Sequence, residues 1–474
     1  MITPAPTHRS QQIAHYNIGY SCIISFVAAM GGLLFGYDWV VIGGAKPFFE
    51  PYFQIQNDPS ASGWANSCAL LGCLAGALLA GGLSDRWGRK RLLIVSGLLF
   101  VVTSLGNALA ENFGIFIAWR ILGGVGIGLA SNLSPMYIAE IAPAQMRGRL
   151  VSINQLTIVI GVLAAQLVNW ALGHNLPTGA TAEFIRDSWY GEYCWRWMFA
   201  LTAVPALLFF LGMFFVPESP RWLVRRNRVE QAKDILMRIG GARYADGEAR
   251  EVQATLATED TQRVRFSELW APRMRQVLVL GIGLAVFQQW CGINVIFNYA
   301  EEIFKAAGYD IASVLSNIAW TGSVNLAFTV VAFGVVDRLG RRPMMLFGAA
   351  GLAVIYSVMG ACYFGGVTGL PVLALVLAAI ACYAMTLAPV TWVVISEIFP
   401  NRIRGAAMAV AVAALWLACF ILTFTFPMLN KILGPAGTFW LYAVICVLGT
   451  IFIYWKLPET KGKTLEELEQ ELVD

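Results

Sequence analysis

Twelve stretches of this 474-residue chain each run for about twenty or more mostly apolar residues. That is the length a helix needs to cross the hydrocarbon core of a bilayer. A chain with so many such runs cannot fold as an ordinary water-soluble globule. Composition agrees: 58% of residues are hydrophobic and 13% charged, where soluble domains carry roughly a quarter charged residues. Lipid is therefore the expected main solvent. The runs lie at 18–45, 62–83, 92–110, 114–138, 150–173 and 195–216, and again at 275–304, 311–336, 343–365, 371–398, 405–430 and 436–456. The first is too long for the apolar core of a signal peptide and is read as a retained span. Net charge is only +4, which gives no reason to expect a nucleic-acid partner. The nine cysteines fall mostly within apolar runs, as small buried hydrophobes do, and no spacing suggests a metal site.

Between the two sets of six lies a polar segment beginning "PESPRWLVRRNRVEQAKDILMRIGG", read as short amphipathic helices outside the membrane. Four units follow: a six-helix half at 1–216, linker helices at 217–274, a second six-helix half at 275–456 and a tail at 457–474. The two sets also repeat each other. "GGLSDRWGRK" after the second run matches "FGVVDRLGRR" after the eighth, and "IAEIAPAQMRG" after the fourth matches "ISEIFPNRIRG" after the tenth. "PESPRW" after the sixth is echoed by "PETKG" after the twelfth. Parallel repeats of six helices build one large class of secondary transporters, with the substrate held at the midplane between them. A membrane enzyme needs no such duplication, and no nucleophile–base set stands out. The short basic loops, with Arg86, Arg89, Arg147, Arg338, Arg341 and Arg404, all fall on one side together with both termini. By the positive-inside rule that side is cytoplasmic.

Amides both donate and accept hydrogen bonds, so amides inside apolar runs suit a small polar substrate held at the midplane. The seventh run, "VFQQWCGINVIFNYA", offers Gln288, Gln289, Asn294 and Asn298. On an unbroken helix Gln289 and Asn294 would point about 140° apart at 100° per residue. A break at Gly292 would turn both inward, as the discontinuous helices of such transporters do. Gln155, Asn325 and Trp392 lie in the fifth, eighth and tenth runs.

Taken in order, "DRWGRK", "GRLVSINQL", "PESPRW", "QQWCGIN", "DRLGRR", "SEIFPNRIRG" and "PETKG" give the chain the look of a sugar porter of the major facilitator superfamily. It resembles bacterial xylose/proton symporters and facilitative glucose transporters. The resemblance implies an all-α membrane protein with twelve transmembrane helices in two halves and short cytoplasmic helices between them. It implies that Gln155, Gln288, Gln289, Asn294, Asn325 and Trp392 contact the sugar, with Trp416 part of an aromatic wall. Three positions depart from the xylose symporters: Val162 and Leu415 stand where those have glutamine, and Asn298 where they have tyrosine. The loop motifs imply a cytoplasmic gate of breakable ion pairs: Asp85 with Arg86 and Arg89, Glu140 with Arg147, and the second-half copies Asp337, Arg338, Arg341, Glu397 and Arg404.

One carboxylate remains. Asp38 sits within "GLLFGYDWVVIGG" with no cation nearby in sequence. A charge at mid-bilayer costs at least about 2.5 kcal/mol and is usually paired or functional. Arg120 in the fourth run is its candidate partner, and Gly72, Gly76, Gly124 and Gly128 offer small faces for close helix packing. Burial favours a protonated carboxyl and a nearby cation favours an ionised one. Movement of Arg120 relative to Asp38 would therefore load and release a proton. The resemblance points the same way, since proton-coupled members carry aspartate here and facilitative ones asparagine. The expected function is a proton-coupled monosaccharide symporter, with the proton as coupling ion, no other cofactor, sugar and lipid as partners, and a monomer as the working unit. A facilitative uniporter and, further off, a non-transporting sensor are the alternatives. A bacterial inner membrane is the expected location.

Overall fold

A computed structural model describes residues 16–261, 272–400, 404–461 and 467. Among the described residues all regular structure is helical. The first half comprises α1 (Ile18–Phe53), α2 (Pro59–Trp87), α3 (Arg89–Ala108), α4 (Phe113–Ile141) and α5 (Arg147–Gly173). After the short α6 (Ala182–Arg186) a sixth crossing runs through a π-helical turn at Tyr190–Cys194, α7 (Trp195–Ala200) and α8 (Ala203–Phe215). Two linker helices follow, α9 (Pro220–Arg225) and α10 (Val229–Thr261), the latter interrupted at Gly241. The second half contains α11 (Pro272–Trp290), α12 (Ile293–Asn298), α13 (Ala300–Ala306), α14 (Ile311–Leu339), α15 (Arg341–Phe364), α16 (Leu370–Met385), α17 (Leu387–Ile398) and α18 (Arg404–Lys456). The eleventh and twelfth crossings form one continuous element that turns at Gly434, where φ is +67°. The expected twelve crossings are therefore present. Linker residues 262–271 and most of the expected tail lie outside the described residues.

Local chemistry sets several of the boundaries. Asp58 caps α2, accepting from the Ser60 and Ala61 N–H groups, with Pro59 in the first turn, where its missing N–H costs nothing. Asn17 and Asn112 cap α1 and α4 in the same way. The two repeated "DR-x-G-R" motifs make tight helix–helix junctions. Gly88 and Gly340 adopt φ of +94° and +93°, a region other residues enter only under strain.

Small residues hold the first half together. A Cβ on Gly72 or Gly76 of α2 would collide with the Ile121 or Val125 carbonyl of α4. Conversely, one on Gly124 or Gly128 of α4 would collide with the Ala69 or Cys73 carbonyl of α2. Gly36 of α1 and Gly161 of α5 form a second reciprocal seam, against the Ile158 and Leu33 carbonyls. Backbones thus touch directly, which maximises dispersion contact where lipid leaves no hydrophobic drive between helices. The outer surface is apolar, with Leu78, Phe215, Phe364, Ile432 and Trp455 all exposed, as helices facing acyl chains require.

Candidate functional site

The two halves pack with a set of polar and aromatic groups between them. In the first half, Asp38 lies near the middle of the 36-residue α1. Arg120 of α4 donates from Nη1 to its Oδ2 at 3.0 Å, and the side chains are 3% (Arg120) and 9% (Asp38) exposed. The guanidinium also stands 5.5 Å from the Phe199 ring centroid. The pair anticipated from the sequence is thus formed, out of water. About one turn before Asp38 and immediately after it, α1 turns aromatic residues toward the second half. Phe35 and Trp39 lie 6.0 and 6.1 Å from the Trp416 ring of α18.

In the second half the seventh crossing breaks twice. Gly292 takes φ +88° between α11 and α12, and a Cβ there would also meet the Tyr442 ring at 2.9 Å. The turn brings together amides that a continuous helix would have splayed, so that Asn294 Nδ2 donates to Gln289 Oε1 at 2.5 Å. Asn294 also faces the Cys419 sulfur at 3.6 Å. Gln288 Nε2 points at the Leu387 carbonyl, 3.5 Å away, beside a break in the tenth crossing at Thr386. Just beyond that break Trp392 is 37% exposed, so the aromatic wall borders open space. Asn325 of α14 is buried and Gln155 of α5 half-buried.

Asn298 ends α12 and is buried like the other amides of the seventh crossing. Gly43 of α1 approaches the Phe297 and Asn298 carbonyls so closely that a Cβ there would clash. Asn298 is therefore part of a helix-to-helix seam between the halves.

The structure adds one residue to the set. Gln155, Val162 and Gln166 follow each other at seven and four residues on α5, which puts them on one helical face. Gln166 is fully buried and donates to Thr321 Oγ1 of α14 at 3.2 Å, one turn from Asn325. The amide absent at Val162 is thus offered one turn further along. The spacing from Gln155 was the available signal.

Basic loops mark one end of the molecule. There Arg89 binds Glu140 through two parallel hydrogen bonds of 3.0 Å each, a geometry stronger than a single contact. Asp85 pairs with Arg89 at 3.4 Å and with Arg225 of the linker at 3.0 Å. Glu218 accepts from the Arg89 and Lys90 N–H groups at the start of α3, and Ser219 donates to Glu140. The second half repeats the arrangement. Arg341 meets Glu397 at 3.4 Å, Glu459 accepts from the Arg341 and Arg342 N–H groups, and Thr460 donates to Glu397 at 2.5 Å. Burial pushes the Glu218 carboxyl above the usual carboxylate range, against the pull of the N–H groups it accepts from.

Two expected pairings are corrected. Glu140 is held by Arg89, because Arg147 begins α5 facing outward toward Glu248 of the linker. Arg86 is exposed and takes part through its carbonyl, which accepts from Arg226 at 2.8 Å. Arg338 likewise offers its carbonyl, to Lys461, and Arg404 donates to the Phe399 carbonyl at 3.3 Å. The Asp337 side chain lies outside the described residues.

Side-chain contacts between the halves gather at the opposite end. Among the described residues they include Trp64 with Phe420 and Phe424, Gln166 with Thr321, and Lys46 of α1 with Glu301 and Glu302 of α13. The ion pairs described at the basic end each stay within one half or its adjoining linker or tail. The halves are thus closed against each other away from the basic loops.

Residues 24–472 match the model of a family described as sugar (and other) transporters. The chain is 40% identical over 484 residues to the D-xylose-proton symporter of Escherichia coli (strain K12), covering 96% of each. It is 38% identical over 467 residues to the glucose transport protein of a Synechocystis species, covering 95% of this chain and 97% of that one. A solved structure, the partially occluded inward open conformation of the E. coli xylose transporter, superposes with a TM-score of 0.83 at 37% identity, covering 94% of this chain and 100% of that one.

Proposed function

The chain belongs to the family of sugar (and other) transporters, and we propose on that premise that it is a proton-coupled monosaccharide symporter working by alternating access. Its substrate class is an aldopentose or aldohexose such as D-xylose or D-glucose. One observation carries the coupling. Asp38, held in the buried pair with Arg120 of α4, sits on the same helix as Phe35 and Trp39, which touch Trp416 of the other half. When the halves rock about the sugar, α1 shifts against the second half, and the pressure on Trp39 is felt at Asp38 next to it. Where the pair parts, burial favours the neutral acid, and a proton is taken up.

Gln155, Gln288, Gln289, Asn294 and Asn325 supply the amides for the sugar hydroxyls, and Trp392 and Trp416 the wall against its ring. Gln166 joins them from the same face of α5, and Asn298, buried at the end of α12, is a further amide of the set. The basic end is cytoplasmic, as the positive-inside rule requires, with both termini there, and the cavity opens toward that side. The carrier works as a monomer in a bacterial inner membrane. At the basic end the gate consists of Arg89, Asp85, Glu140, Arg341 and Glu397, with Arg86, Arg147, Arg338 and Arg404 positioning the loops around them.

The test is uptake into proteoliposomes with an imposed pH gradient. Sugar accumulating above the external concentration, and collapsing on addition of a protonophore, is the expected result. Mere equilibration would make the chain a uniporter and Asp38 a structural partner of Arg120.

A further inference from the structure

Five ionisable side chains meet at the end opposite the basic loops: Lys46 and Glu50 of α1, and Glu301, Glu302 and Lys305 of α13. Lys46 is the centre. Its side chain is 4% exposed, and its ammonium binds Glu302, stands 3.5 Å from Glu50 and 3.9 Å from Glu301, and lies 5.5 Å from the Tyr299 ring centroid. Glu301 is shared with Lys305 at 2.5 Å. Directly beneath, Gly43 seats α1 against the Phe297 and Asn298 carbonyls.

The partition of charge between the halves is informative. Lys46 and Glu50 are one turn apart on α1, so the first half keeps a matched pair whether or not the second is near. Glu301 and Lys305 are one turn apart on α13, so the second half keeps one too. Glu302 alone has no cation within its own half among the described ion pairs. Its side chain is also the most exposed of the three carboxylates, at 25%. Separation of the halves would therefore return a single carboxylate to water and strand no unpaired buried ion, the outcome that makes breaking most buried pairs so costly.

We propose that Lys46 and Glu302 form a reversible ionic lock between the halves that holds the far end closed, and whose release is a step in opening to that side. The lock rests on the alternating-access reading. Its test reads accessibility with no sugar present, so it stands or falls independently of what the protein carries.

The experiment is hydrogen–deuterium exchange of the full-length protein in lipid nanodiscs. It follows peptides covering 43–53 and 299–306 at the far end and 84–92 and 338–343 at the basic end. In wild type the far end is protected. Lys46→Met and Glu302→Gln should each speed far-end exchange on the order of tenfold, as expected when a charge-assisted bond is lost, and should slow exchange at the basic end as the halves rock the other way. Lys46→Arg, which keeps the charge, should stay near wild type. If Lys46→Met does not fold, the isosteric Glu302→Gln carries the test alone. An unprotected far end in wild type, unchanged exchange in Glu302→Gln, or faster far-end exchange without slower exchange at the basic end would each overturn the lock.

Discussion

Replacing Asp38 by asparagine separates the proton from the sugar. The amide keeps the shape of the side chain and an oxygen about where Arg120 now donates at 3.0 Å, but it cannot titrate. Two magnitudes follow. The first is energetic: removing one charge of a pair this buried costs on the order of 3–5 kcal/mol. The retained acceptor and the Phe199 ring beside the guanidinium should hold the loss near the low end, so the variant folds with a lowered melting temperature. The second is thermodynamic. With one proton per sugar, a gradient of one pH unit sustains at most about tenfold accumulation, and 100 mV adds ~2.3 kcal/mol, roughly another fiftyfold. For Asp38→Asn both factors fall to one. Sugar binding and counterflow exchange should persist, because the amides and tryptophans proposed to face the sugar stand on α5, α11, α12, α14, α17 and α18. The assay is the ratio of internal to external sugar in proteoliposomes under that gradient, wild type beside variant. If the asparagine carrier concentrates sugar as steeply as wild type, Asp38 carries no proton and the coupling argument fails.

Asn294→Ala removes the partner of Gln289 and should weaken sugar affinity by about tenfold to a hundredfold, or 1–3 kcal/mol; calorimetric titration alongside an unchanged melting temperature checks this. Val162→Gln places an amide on the face shared by Gln155 and Gln166 and should tighten binding of at least one pentose or hexose several-fold. A competition panel identical to wild type would mean that this face of α5 does not reach the substrate. Arg89→Ala strips Glu140 of both its guanidinium bonds and should lower thermal stability by about 3 kcal/mol or more. Arg147→Ala should cost well under 1 kcal/mol, and equal losses would argue against the pairing described. Gly124→Leu drives a side chain into the Ala69 carbonyl and should abolish folded, monodisperse protein in fluorescence-detected size-exclusion chromatography.

The number and order of the crossings were legible in the sequence because each must be apolar over a bilayer's thickness, and nothing else in the chain imitates that. The buried pair was legible for the same reason, since Asp38 and Arg120 contrast with everything around them. What hydropathy could not give was the end of α1. The apolar run stops at 45, yet the helix continues to Phe53, because Lys46 meets carboxylates brought from the other half and Glu50 meets Lys46 one turn away. Glu218 and Glu459 were hidden for a related reason. They act on the first turns of α3 and α15, more than a hundred residues away, and only folding puts them there. Glu140 was assigned to the nearer arginine in sequence, although the rigid junction at Gly88 delivers Arg89 to it. The break at Gly292 could be inferred, since two amides need one direction. Those at Tyr299 and Thr386 leave no comparable mark.

The glycine seams of the first half have a mechanical consequence. Where carbonyls of one helix nest against glycines of the next, sliding would have to carry oxygen atoms over one another, so α1 with α5 and α2 with α4 resist shear. The second half has its crossings cut at Gly292, Tyr299 and Thr386, and each cut is a place to bend. One half is thus stiff and the other compliant, and strain raised by a sugar settles unevenly between them. The proposed coupling carboxylate, Asp38, then stands in the half whose glycine seams resist shear.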